Sequence, residues 1–267
     1  MSNLAGLLKS QAPGSVVMVT EPVRGTLGMV VRKFADAYGA SHLAHEPLEQ
    51  TTLRAAIKDV FGQEQLPDFD IAHADYLLSF GADMLATWLS PVRYGRAYGE
   101  FRQGNGDRGT LVQVEPRMSL TAANADRWVY VNPGWEGVVA LSVAYVLMSQ
   151  HSDRIDRAAV QAMTGGAGAA YLAEFAPEIV TGSVGVSSER IQEIARGLAN
   201  HNRSLVIGGG SAGAHTKGKA GLSAIYSLNL LLGNIGKEGG VLFNPPSPLD
   251  DLPAKSPGAS LQEWESL

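Results

Sequence analysis

The apolar positions of the chain fall into short β-branched runs separated by stretches of helical spacing. Ser15-Val16-Val17-Met18-Val19-Thr20, set between Pro13-Gly14 and Glu21-Pro22, reads as a first strand. Leu27, Val30, Val31 and Phe34 then recur at helical spacing as far as Gly39, a C-cap candidate, and a second helical pattern runs from Thr51 to Phe61 before a break at Pro67-Asp68. The next two apolar runs, 75–83 and 110–117, each stop at small or acidic residues, the pattern of buried parallel strands. The interval between them has room for one crossover helix, so the stretch predicts a βαβ unit.

The pattern then repeats. Arg127-Trp128-Val129-Tyr130-Val131 alternates like a strand, Pro133-Gly134 makes a turn, and Val138 to Ser149 is a helix apolar enough to be buried. From His151 to Gly185 it is irregular, with Gly165-Gly166-Ala167-Gly168 and Pro177 as breakers, which suggests short bridging helices. Ser187 is placed to cap a helix striped by Ile191, Ile194, Ala195 and Leu198. Ser204-Leu205-Val206-Ile207 is a strand, and 220–232 a helix closed by Gly233-Asn234-Ile235-Gly236. Beyond Val241-Leu242-Phe243, prolines 245, 246, 248, 253 and 257 mark an irregular arm.

Composition narrows the chemistry. The 267 residues are 45% hydrophobic and 18% charged, an ordinary globular balance, and a net charge of -5 without a Lys/Arg cluster argues against nucleic acid as a partner. The absence of cysteine excludes disulfides, Cys-ligated zinc, iron–sulfur ligation by this chain and thiol catalysis. Met1 to Lys9 has none of the features of a secretory signal or a twin-arginine leader, and the longest apolar stretch, Val138 to Met148, is too short to span a bilayer. The expectation is a chain without its own export signal or transmembrane segment.

The candidate chemistry gathers at strand ends. Gly81-Ala82-Asp83 and Glu115-Pro116-Arg117 end the two central strands, where ligands of doubly wound sheets bind. Glycine lets a backbone approach a phosphate and an acid accepts ribose hydroxyls, so the unit reads as half of a nucleotide site. Glu136 falls near a helix start, where it complements the macrodipole or hydrogen-bonds a guanine edge. Gly208-x-Gly210-x-x-Gly213 fits a dinucleotide fingerprint but lacks the acid expected on a following strand, and Gly209-x-Ser211-x-Gly213 fits a nucleophile elbow but has no histidine beyond His215. What remains is a glycine turn suited to phosphate or to tight packing, and spacing does not choose. His42 and His45, with Glu46 or Glu49, suggest a metal, but on an extended segment a spacing of three turns the rings to opposite faces.

As an ordered set these motifs resemble the molybdopterin oxidoreductase (dimethyl sulfoxide reductase) superfamily. The matching residues are Phe80-Gly81-Ala82-Asp83, Glu115-Pro116-Arg117 for the usual Asp-Pro-Arg, and Asn132-Pro133-Gly134-Trp135-Glu136 for a Pro-Gly-Thr-Asp turn. Gly208 to Gly210, His215 and Gly233-Asn234-Ile235-Gly236 follow in order. More narrowly, His45-Glu46-Pro47-Leu48, the run Ala74 to Asp83 and Thr87-Trp88-Leu89-Ser90 resemble the molybdopterin-like subunits of alternative complex III and of menaquinone reductase complexes, which keep the fold without molybdenum or pterin.

The resemblance implies an α/β fold of two Rossmann-like, doubly wound lobes with mainly parallel sheets, here 1–150 and 151–244, with the Pro-rich arm 245–267. It implies a subunit without its own cofactor in a membrane-bound, quinone-linked electron-transfer complex, peripheral to the membrane on a side left open. The implied partners are an iron–sulfur subunit, a membrane-embedded quinone-interacting subunit and a multihaem cytochrome c. Active relatives place a metal-ligating Cys, selenocysteine, Ser or Asp where Ala44 stands, and alanine cannot ligate a metal. The alternative is a part of an enzyme that binds a molybdenum or tungsten bis-molybdopterin guanine dinucleotide, with ligand and cluster from a partner chain. Its contacts would be Gly81, Asp83, Glu115, Arg117, Gly134, Glu136, Gly208, Gly210, His215 and Gly233. A third reading, from a different class, is a free nucleotide-binding module.

Overall fold

The computed structural model describes residues 2–21, 23, 25–45, 50–63, 65–103 and 108–245. Contacts group them into two compact units, one ending at His45 and one running from Gln50 to Pro245. This grouping differs from the lobes 1–150 and 151–244 expected from the sequence, because strands and helices on either side of residue 150 share one sheet and one core.

The first unit holds α1 (Ser2–Ser10), β1 (Val17–Thr20), α2 (Gly25–Tyr38) and β2 (Ser41–Ala44). Pro13 opens a 3-10 turn rather than a strand end, so β1 starts two residues later than expected. β2 pairs with β1 in parallel, Val17 opposite Ser41 and Thr20 opposite Ala44. The sequence pattern does not announce β2, a four-residue strand that begins with Ser and His. His42 Nε2 and Thr20 Oγ1 meet across this pair at 2.9 Å.

The second unit contains α3 (Gln50–Phe61), β3 (Asp68–Phe69), β4 (Tyr76–Phe80), α4 (Pro91–Gln103), β5 (Thr110–Val114), α5 (Leu120–Ala123), β6 (Arg127–Val129) and α6 (Glu136–Gln150). It continues with α7 (Arg157–Thr164), α8 (Pro177–Val184), α9 (Ser188–Asn200), β7 (Ser204–Gly208), α10 (Gly218–Leu232) and β8 (Val241–Leu242). The expected βαβ unit is present as β4-α4-β5, its strands parallel with Tyr76 opposite Thr110. The irregular stretch after His151 is helical. Asp156 caps α7 by accepting from the N–H groups of Ala158 and Ala159, and Pro177, taken from the sequence as a breaker, opens α8 at the position where a missing N–H costs nothing.

The main sheet has the order β6-β5-β4-β7, all parallel. Residues 76–80 and 204–208 are buried throughout, as expected of strands covered on both faces. The chain steps outward from β4 to β6 and then returns to the other side of β4, so the order reverses between β4 and β7. At the amino end, Asp126 accepts from Arg102 and from Leu111 N–H; burial alone would raise its carboxyl, but these bonds and the nearby Arg102 and Arg108 charges hold it below the usual range.

α6 and α10 cross at Gly137 and Gly221, where a methyl group on Gly137 would lie 2.5 Å from Gly221 Cα. β7 is an edge strand, and side chains cover its outer edge. Tyr226 OH bonds both the N–H and the C=O of Gly208, Asn229 does the same for Val206, and Asn234 Nδ2 donates to Ser204 O. These groups occupy the positions that a fifth strand would take.

Candidate functional site

In open parallel sheets the crevice lies outside the carboxyl ends, where the strand order reverses. Here that point is the gap between Gly81, after β4, and Gly208-Gly209-Gly210, at the end of β7. The two loops fill it. A methyl group on Gly210 would meet Gly81 O at 2.3 Å, and one on Gly81 would meet Ser211 Oγ at 2.5 Å and Gly209 O at 2.6 Å. Gly81 and Gly210 adopt φ of 64° and 53°, the left-handed region that glycine tolerates. The Gly81 N–H bonds Val114 O and the Gly209 N–H bonds Phe80 O, each at 3.0 Å. At this point the glycines of the two loops pack closely on one another.

The acids at the strand ends also have partners. Asp83 Oδ1 accepts from Thr121 N–H at 3.1 Å and from Thr121 Oγ1 at 2.7 Å. Its C=O receives the N–H groups of Ala86, Thr87 and Trp88. Glu115, 3% exposed, accepts from Ser119 N–H at 2.9 Å and from Gln113 Nε2 at 3.0 Å, and its C=O takes the Trp128 indole N–H. Arg117 is exposed. Thr121, Ser119 and Gln113 were not singled out by sequence reasoning; the one signal was Gln113, a polar residue inside an apolar run.

Glu136 is different. It is the first residue of α6, as expected of an acid complementing a helix start, and is 0% exposed, yet neither carboxylate oxygen has a hydrogen-bond partner. His215 Nδ1 accepts from Lys217 N–H, which leaves Nε2 to carry the proton, and Nε2 is buried without a partner. Gly134, with φ 82°, packs on the His215 ring; a methyl there would lie 3.8 Å from it. Glu136 thus carries a buried acceptor, and His215 a buried donor, without a partner.

Gly233 is not brought to this site. It ends α10 with φ 62° and its N–H bonds Leu230 O, at the far end of the helix that begins near Gly208. Gly233 lines instead a cavity of about 400 Å³ at the amino end of β7, with Arg154, Asp156, Ser204, Asn234 and Lys237. Arg154 spans part of it, donating to Ala199 O and Asn202 Oδ1.

Ala44 ends β2. Glu46 and Glu49, the acids weighed beside His42 and His45, lie outside the described residues, as do residues 246–267 of the Pro-rich arm. Among the described residues no group of three or more His, Cys, Asp or Glu side chains could hold a metal ion, and no helix is long and apolar enough to cross a membrane.

A parallel sheet with this strand order, with glycines and acids at its carboxyl ends, defines an α/β protein. The family described as molybdopterin oxidoreductase matches residues 18–246, and the chain belongs to that family. It is 29% identical over 91% of its length to the menaquinone reductase molybdopterin-binding-like subunit of Nitratidesulfovibrio vulgaris, of which it covers 34%. It is 35% identical over 30% of its length to the molybdopterin-containing subunit of arsenate respiratory reductase from a Shewanella species, covering 9% of that protein. Among solved structures, acetylene hydratase from Pelobacter acetylenicus shares the fold with a TM-score of 0.61 over 87% of this chain and 31% of that one, at 15% identity. The chain therefore spans about a third or less of the length of these relatives.

Proposed function

We propose that this chain is a subunit of a membrane-bound, quinone-linked electron-transfer complex in which it carries no redox centre and holds iron–sulfur, quinone-interacting and haem-bearing subunits in place. The observation that carries this reading is the engaged state of the crevice. Gly81 and Gly210 close on each other, and Asp83 and Glu115 hydrogen-bond within the fold. That arrangement supports a chain without a pterin dinucleotide, whose phosphates call for open glycines and whose riboses call for open acids. Ala44, where active members of the family place a metal ligand, supports the same reading. So does the similarity to a menaquinone reductase subunit named as binding-like. On this reading the chain is peripheral to the membrane and its side is set by its partners.

One observation favours a second reading, in which the chain binds part of a bis-molybdopterin guanine dinucleotide while a partner supplies ligand and cluster. Glu136 and His215 Nε2 are the unsatisfied pair that a guanine edge could engage. Metal and pterin analysis of the intact assembly separates the two. Iron without molybdenum, tungsten or oxidised-pterin fluorescence is the expected result; metal and pterin in one-to-one ratio with this chain would replace the first reading with the second.

A further inference from the structure

β8 joins the second unit through a short antiparallel ladder, with Asp68 opposite Leu242 and Phe69 opposite Val241. A two-stranded ladder of that length is marginal by itself. The loop before β8, residues 236–240, is fastened by Asp70. Its N–H donates to Gly240 O at 3.0 Å, and its Oδ2 accepts from Gly239 N–H at 2.9 Å. Gly239, with φ 73°, comes so close to the 3-10 turn Ile71–His73 that a methyl group on it would lie 2.7 Å from His73 O. Val241 and Phe69 are buried, and Phe69 packs on Trp88 and Tyr226 at ring distances of 5.4 and 5.8 Å.

His73 touches both sides of this closure. Its Nδ1 lies 2.7 Å from Asp70 Oδ1 and its Nε2 4.0 Å from Glu238 Oε1, so two carboxylates face the two nitrogens of one ring. A neutral imidazole carries a single N–H. When that N–H serves Asp70, the bare Nε2 meets Glu238 as acceptor against acceptor; the imidazolium donates to both sides. Arg203, just before β7, is engaged by Asp75 at 2.6 Å, and Arg93, on the helix α4 that packs against the turn, is engaged by Asp68. Lys237, next to Glu238, lines the cavity beside Gly233. The Asp70 hydrogen bond and charge, with Glu238 adding to them, hold the His73 ring above the ordinary histidine value, against slight burial and the Arg203 charge.

We propose that the loop 236–240 is a pH-sensitive clasp on β8, closed while His73 is an imidazolium between Asp70 and Glu238 and loosened when the ring is neutral. A histidine raised in the folded state contributes stability that is fully present below its unfolded value, about 6.5, and is lost as pH rises through its folded value. The clasp therefore loosens toward alkaline pH, and the strand it releases is β8, while the parallel sheet stays in place. His73 is half-exposed, so water screens both contacts and the expected change in opening is about two- to fivefold rather than orders of magnitude.

Amide exchange of the full chain, followed by NMR from about pH 5.5 to 8 and corrected for intrinsic chemical rates, reads the clasp at Asp70 and Gly239, with the buried Val206 amide as internal reference. Protection of the two amides relative to Val206 should fall by about two- to fivefold across this range. His73→Gln keeps a donor for Asp70 but cannot titrate, and should flatten the dependence. A flat profile in the unchanged chain, or a dependence that survives in His73→Gln, would overturn the proposal. The ring itself gives a second reading that does not depend on how the variants exchange. The His73 ring protons should titrate above the ordinary histidine value, and Glu238→Gln should lower that midpoint. A midpoint that ignores Glu238→Gln would mean that the ring does not sense the loop, and would overturn the proposal as well.

Discussion

Glu136 combines full burial with two unpartnered oxygens, a combination that ordinarily costs a folded protein stability. If the crevice takes no ligand, exchanging that carboxylate for an apolar side chain of similar volume should help. Glu136→Met is therefore expected to raise the stability of the isolated chain by about 1–3 kcal/mol, read from the urea midpoint. A lowered midpoint would mean that the folded protein satisfies the carboxylate, and would count against a buried unpartnered acid at this position. The other acids show how far single residues were legible in the sequence. Asp83 and Glu115 stand at strand ends as their positions suggested, because an apolar run that stops at an acid marks the mouth of a parallel sheet. What they bond was hidden, since Thr121 belongs to the four-residue α5 and Ser119 is its N-cap, too short a helix for a periodic signal.

The long elements were the readable ones. α6 shows an uninterrupted apolar run and is buried, and α9 shows a stripe with a serine cap that does accept from Arg190 N–H at 3.3 Å. α7 and α8 are the short helices expected between His151 and Gly185, but their bounds were not legible, because an acidic cap and an N1 proline look like loop chemistry when the following apolar pattern is short. Gly233 was grouped with the crevice although α10, at 15 residues and roughly 22 Å, carries it to the other end of the sheet. The α6–α10 crossing could not be read from glycine content, since Gly95 in α4 has open space around it and Gly137 does not. Gly137→Ala should cost about 1–3 kcal/mol by forcing the two helices apart. Gly95→Ala should stabilise by about 0.5–1 kcal/mol through helix propensity alone. Thermal melts of the two variants that shift in the same direction would contradict the packing described for this crossing.

At the scale of the molecule, the described core lies in 50–245, while residues up to 45 bury almost nothing of their own. In the isolated chain the amides of 17–20 are expected to exchange with solvent well before those of 204–208, measured by hydrogen exchange and mass spectrometry; equal protection would mean that the first unit is stable by itself. The cover over β7 has a further consequence, which concerns synthesis. β7 joins β4 across a long sequence separation, its register sealed by Asp75 with Arg203, so it is the last strand that the nascent sheet receives. The side chains that shield its outer edge follow directly behind it in the chain. At about 5–20 residues per second, the ribosome delivers Asn234 roughly 2–6 s after Ser204. A newly made chain thus closes this edge almost as soon as it emerges, and the exposure of β7 to neighbouring nascent chains is brief.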